Sequence, residues 1–106
     1  MKSFEPYYIA IFTSVRSGID ERGYEKMNKE TFDLVEKQAG FLGAESYSNE
    51  EGKHVTLVKF KTETDMINWK NHAFHLEAQR LGREKWYDFY NVKVCKVERE
   101  YEFHKK

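Results

Sequence analysis

A chain of 106 residues suffices for one domain with one modest core, burying roughly two thirds of its unfolded surface. Its 18 basic and 18 acidic residues cancel, which argues against a nucleic-acid binder with a basic surplus on one face, and a 16% aromatic content leaves much of the burial to a few large rings. No stretch approaches the about 20 apolar residues of a membrane span, the first apolar run is too short for a signal peptide, and the single cysteine, Cys95, excludes an intrachain disulfide or a multi-cysteine zinc site, so a cytoplasmic protein without membrane contact is expected.

Tyr7 to Arg16 reads as a strand that is apolar on both faces, with Tyr7, Ile9, Ile11 and Val15 on one and Tyr8, Ala10 and Phe12 on the other. A strand of that kind is covered on both sides. Ser17-Gly18 breaks it, and Asp20 is the expected N-cap of a helix reaching about Ala39. Tyr24, Met27, Thr31, Leu34 and Val35 fall on one side of that helix and charged residues on the other. Gly40 stops it. Phe41 to Ser48 and His54 to Lys61 read as strands joined by the hairpin loop Asn49-Glu50-Glu51-Gly52.

Thr62, with Asp65 three residues on, caps a second helical region that reaches about Leu81. Its periodicity is poor. Met66, Trp69, Ala73 and Leu76 mark one side, whereas Ile67, Phe74 and Leu81 sit well round from them, so a break near Asn71-His72 is predicted. Gly82-Arg83 is predicted to end the region, and Trp86 to Phe103 to form a long last strand. Its inward alternation passes from Tyr90, Val92 and Val94 to Val97, Arg99, Tyr101 and Phe103. A one-residue slip swaps the faces of a strand, so a β-bulge near Cys95-Lys96 is expected.

The element order is βαββαβ, an α+β ferredoxin-like arrangement with an antiparallel sheet, spanning residues 1–106 as a single domain. Helices cover one face of such a sheet. The second apolar face of the first strand therefore predicts a homodimer closed through the open face.

Trp69 to Tyr90 holds both tryptophans, two of the four histidines and two tyrosines. Rings beside imidazoles build a pocket that is apolar in body and polar at a few points, the usual form of a small-molecule site. His72 and His75 are neighbours on a helix surface at i, i+3, but Glu77 is poorly phased to complete a metal site, and none is expected. Trp69 reads as core or as a wall that stacks on a flat ligand, and one of Trp86, Tyr87 and Tyr90 as a pocket wall. Arg80 and Arg83 could meet a ligand carboxylate. No phosphate loop, dinucleotide fingerprint or nucleophile elbow occurs.

The pattern Phe60-x8-Trp69-x5-His75, followed by Gly82-Arg83-x2-Trp86-Tyr87 and Val97-Glu98-Arg99-x-Tyr101-x-Phe103, resembles the antibiotic biosynthesis monooxygenase-type family over nearly the whole chain. The resemblance implies a dimeric α/β barrel with a pocket in each subunit, between the sheet and the second helical region. It implies a cofactor-independent monooxygenase-like activity on an aromatic or quinone-type molecule, in which an imidazole serves as general base. His75 is the candidate base, His72 the second and Trp69 their neighbour, with Arg83, Trp86, Tyr90 and Phe12 as substrate contacts. The family also includes haem-degrading members that use a first-strand Asn with a Trp and a His from the second helical region. Trp69 and His75 match two of these, while no Asn precedes Asn28 and Phe12, Thr13 or Ser14 stands at the strand position. Haem, bound or cleaved, is the alternative to a site without cofactor.

Overall fold

The structure, a computed structural model, describes residues 4–106. Strand β1 (Tyr7–Arg16) leads through Gly18, at φ 85°, into helix α1 (Glu21–Val35). Asp20 caps this helix through its carboxylate on the Gly23 N–H at 3.2 Å, from a left-handed backbone that Asp tolerates better than most residues. Strands β2 (Phe41–Ser48) and β3 (Lys53–Phe60) form the hairpin, whose turn is held by Asn49 Oδ1 accepting from the Glu51 and Lys53 N–H groups. Helix α2 (Glu63–Lys70) starts on Thr62, whose hydroxyl accepts from the Asp65 N–H and donates to its carboxylate. Helix α3 (Ala73–Leu81) follows after the predicted break, and a π-helical turn over Gly82–Trp86 leads into β4 (Tyr87–Val97).

The sheet is antiparallel throughout, in the order β2-β3-β1-β4, and the fold is the ferredoxin-like α+β arrangement. Opposite residues of an antiparallel pair share a face. Tyr8, Ala10, Phe12 and Ser14 thus lie with Phe60, Val58, Thr56 and His54 of β3 and with Val94, Val92 and Tyr90 of β4. On this side Val35, Met66 and Trp69 from the helices close a core around Phe60, with Tyr8, Ala10, Phe32, Phe41 and Val58 against it. The other side carries Ile9, Ile11, Val15, Val55, Leu57 and Phe89, and the helices leave it open.

Four expectations shift in detail. Helix α1 ends at Val35 rather than Ala39, the chain reaching Gly40 through turns, and Phe32 joins its packed side. Strand β3 starts one residue early, at Lys53. Gly82 does not stop the helical region: its backbone is right-handed, and the chain continues for the π turn. The last strand ends at Val97, because its pairing partner β1 begins opposite, at Tyr7, and among the described residues no strand lies beside Glu98 to Phe103.

Nor is there a bulge at Cys95-Lys96. The pairing is continuous from Tyr7–Val97 to Val15–Phe89 and shifts only between Val15 and Arg16, where Asp88 is the extra residue. Tyr90, Val92 and Val94 face the helices, and Val97 faces the open side. What changes along this strand is which face is apolar, with no slip of register.

Candidate functional site

The break between α2 and α3 brings the two imidazoles onto one indole. The His72 and His75 rings lie 5.4 Å and 4.9 Å from the Trp69 ring, each tilted against it. His72 is the N-cap of α3, with Nδ1 accepting from the Phe74 N–H at 3.2 Å. An imidazole that caps a helix at Nδ1 carries its hydrogen on Nε2 when neutral. His72 is therefore a structural acceptor whose outward nitrogen donates, and this cap is also the reason for the helix break.

His75 has the opposite tautomer. Its Nδ1 sits 3.3 Å from the Lys70 carbonyl oxygen, which can only accept, so Nδ1 donates and the lone pair lies on Nε2. Burial lowers the His75 pKa below its ordinary value, the Lys70 carbonyl opposes that shift, and the neighbouring His72 adds to it. The neutral base form is thus favoured near pH 7. Trp69 is 6% exposed and belongs to the core cluster, so it acts first as the floor against which both imidazoles are held.

A second group forms where β1 meets the start of β4. Phe12 stacks on Tyr90 at 5.4 Å and meets Tyr87 edge-on at the same distance. Tyr87 contacts Tyr24 in turn, and Arg16 lies over the Tyr24 ring at 4.5 Å. Burial foremost, then the Tyr24 phenol, hold the Tyr87 hydroxyl protonated well above the ordinary tyrosine range. Arg83 reaches the Tyr90 hydroxyl at 3.4 Å. Arg83, Tyr87, Asp88, Phe89 and Tyr90 line a shallow depression of about 330 Å³.

Trp86 and Arg80, both expected near a ligand, have partners within the fold. Trp86 is 5% exposed, packs edge-on against Tyr24, and donates its indole N–H to Asp20 at 3.3 Å, which ties the π turn to the start of α1. Arg80 is held between Glu77 and Glu84, whereas Arg83, one turn on, meets Tyr90. Gly82 had no visible role beyond helix termination. In the structure the Tyr87 ring lies on its α-carbon, and a methyl group there would stand 2.7 Å from Cε2. A glycine after a helical run is normally a stop, so no signal in the sequence announces this packing.

The two groups share one face of the sheet. Tyr8 and Ala10 pack against the cluster that contains Trp69, and Phe12, two residues along, meets Tyr87 and Tyr90. Val94 and Val92 of β4 lie opposite Ala10 and Phe12 on this same face, yet are 60% and 47% exposed. The helical layer thus leaves the β4 edge of the sheet uncovered.

No protein-family model matches the sequence. The uncharacterised protein YqjZ of Bacillus subtilis (strain 168) is 41% identical over 96 residues, which span 90% of this chain and 82% of YqjZ. This chain belongs to the family of YqjZ. Among solved structures, Rv0793 from Mycobacterium tuberculosis matches with a TM-score of 0.77 at 11% identity, over 90% of this chain and 97% of that one. SnoaB from Streptomyces nogalater, described as a cofactor-independent oxygenase and solved as a mutant, matches with a TM-score of 0.72 at 9% identity, over 92% and 97%. This member of the YqjZ family has the antibiotic biosynthesis monooxygenase-type fold.

Proposed function

We propose that this chain is a cofactor-independent monooxygenase-like protein. Its substrate is an aromatic or quinone-type small molecule lying over the uncovered helix-side face of β4, with His75 as general base. The observation that carries the reading is the placement of His75, half-buried on Trp69, its pKa lowered by burial, with Nδ1 on the Lys70 carbonyl and no hydrogen bond at Nε2 among the described residues. Such a nitrogen can take a proton from an electron-rich phenolic or enolic substrate. The carbanion passes one electron to dioxygen, and the radical pair combines into a carbon-bound peroxide. Loss of water then leaves a carbonyl, so a CH2 group and O2 become C=O and H2O with no other reductant. Phe12, Tyr87 and Tyr90 offer ring faces to a flat substrate, and Arg83 an ion pair to a carboxylate or phenolate. The fold shared with SnoaB supports the reaction class. Oxygen uptake against a panel of anthrones tests it: turnover should fall at least about 100-fold in His75→Ala, the low end of general-base contributions. Unchanged turnover removes His75 from the role.

The same reading includes a cytosolic homodimer. Ile9, Ile11, Val55 and Leu57 form an apolar strip on the open side of the sheet, and a second copy supplies an equal strip to cover it.

A second reading rests on the same nitrogen, since a free Nε2 also suits an axial haem ligand. The residues fit haem cleavage poorly. The helix-side positions of β1 are Tyr8, Ala10, Phe12 and Ser14, with no Asn, and Trp69 is sunk in the core. Haemin titration followed in the Soret region, with His75→Ala as control, tests binding alone, and a saturable shift lost in the variant would favour this reading.

A further inference from the structure

The two imidazoles on Trp69 are hydrogen-bonded in opposite senses. His72 uses Nδ1 as an acceptor, taking the Phe74 N–H at 3.2 Å, so its hydrogen is on Nε2. His75 uses Nδ1 as a donor to the Lys70 carbonyl at 3.3 Å, so its lone pair is on Nε2. Neither Nε2 has a hydrogen bond among the described residues. Both rings are half-buried and rest on one core indole, at 5.4 Å and 4.9 Å between centroids. One ring thus offers a hydrogen and its neighbour takes one. Helix capping alone does not account for a histidine at position 72. Ser, Thr, Asp and Asn are the preferred N-caps, and Asp20 and Thr62 fill that place on α1 and α2. What an imidazole adds to a cap is a second nitrogen on the far side of the ring. With Nδ1 accepting, that nitrogen is fixed as a donor.

We propose that His72 is a second catalytic residue, whose Nε2–H holds the substrate oxygen that becomes negative when His75 removes a proton. The inference rests on the reading of His75 as general base, and it names the group that stabilises the product of that step. A C–H or O–H bond of the substrate breaks and its proton goes to Nε2 of His75. The bonding electron pair settles on oxygen, which gives an enolate or phenolate beside a new imidazolium. The Nε2 hydrogen stays on His72 and forms a hydrogen bond to that oxygen. With its Nδ1 on the Phe74 N–H, His72 has no site for the substrate proton itself, so the two roles do not interchange. A hydrogen bond of this kind strengthens as charge develops, and so lowers the barrier more than it tightens substrate binding. The substrate must then carry a carbonyl or hydroxyl oxygen conjugated with its acidic position.

The test uses the full chain. Proton–nitrogen NMR correlation spectra should show His72 as the Nε2–H tautomer and His75 as the Nδ1–H tautomer, and the reverse at His72 overturns the proposal. His72→Asn keeps a preferred N-cap and withdraws the outer donor. With an anthrone as substrate, kcat of this variant should fall about 100-fold, the scale of one lost oxyanion donor, with KM little changed. A residue that only caps the helix would be replaced by Asn without loss. Wild-type kcat in His72→Asn therefore overturns the role of His72 and leaves that of His75 standing. If the wild type consumes no oxygen with any anthrone, the monooxygenase reading falls and a binding measurement decides the pair. Para-nitrophenol, added at a pH where the free phenol is mainly neutral, should turn to the yellow phenolate on binding, and the colour should be lost in both His72→Asn and His75→Ala. That result keeps the pair as a site for phenols. Colour retained in His72→Asn, or none in the wild type, overturns it.

Discussion

His75 lies against Trp69 with ring centroids 4.9 Å apart, and among the described residues its only polar tie to the fold is the Lys70 carbonyl. The imidazole is thereby partly withdrawn from water without gaining a carboxylate that would favour its charged form.

The pH dependence follows from that placement. Desolvation lowers the folded-state pKa of His75 below 6.5, its ordinary value. Above pH 6.5 the group is neutral in both states and contributes nothing. As pH falls through 6.5 the unfolded chain takes up the proton first, so stability is lost until the folded pKa is reached. An NMR titration of the His75 ring should give a midpoint below 6.5, and His75→Phe should lose less stability than the wild type between pH 7 and pH 5. A midpoint at or above 6.5 would contradict the burial.

Gly82→Ala sets two effects against each other. Helix propensity favours Ala by about 1 kcal/mol, but the new methyl meets the Tyr87 ring, which is braced by Phe12, Tyr24 and Tyr90. Overpacking of a braced ring costs about 1–3 kcal/mol. Urea unfolding should show a net loss, and a net gain would mean that the ring is free to yield.

Asp20 joins three things: the cap on Gly23, the Trp86 indole, and a left-handed backbone at φ 53°. Asp20→Ala should cost about 1–2 kcal/mol for the cap, and backbone strain adds to it. Asp20→Gly removes the strain and should be the milder change, with Asp20→Asn milder still. Thermal melts of the three variants check that order, and equal losses would show that the backbone is not strained.

Arg83 and Arg80 should part company in ligand binding. Arg80 is occupied by Glu77 and Glu84, so Arg80→Met should leave the affinity for an anionic aromatic probe such as 1-anilinonaphthalene-8-sulfonate unchanged. Arg83→Met should weaken it about tenfold, the scale of one charge-assisted contact. Fluorescence titration reads both.

Much of the fold was legible because local rules and global packing agree. The two-faced apolar pattern of Tyr7–Arg16, the caps at Asp20 and Thr62, and the Asn49–Gly52 turn each stand where expected, within a residue. The broken periodicity before His72 marked the helix break, although the reason for it, an imidazole accepting from a backbone N–H, is not written in any pattern. The apparent phase change at Cys95-Lys96 was real as a change of apolar face and misleading as a bulge. Alternation records which face is buried and carries no information about what buries it.

The candidate site divides along the same line. Residue type and spacing by themselves determined the α+β architecture, the stretch from Trp69 to Tyr90 as the place to look, and the helix break that sets His72 and His75 beside Trp69. These depend on contacts within a few turns of one chain segment. Only the tertiary structure decided that Phe12 meets Tyr90, that Trp86 turns to Asp20, that Gly82 lies under Tyr87, and which nitrogen of each histidine is free. Each of those rests on residues brought together across the fold, or on a hydrogen bond whose geometry is set by packing, and neither leaves a periodic trace along the chain.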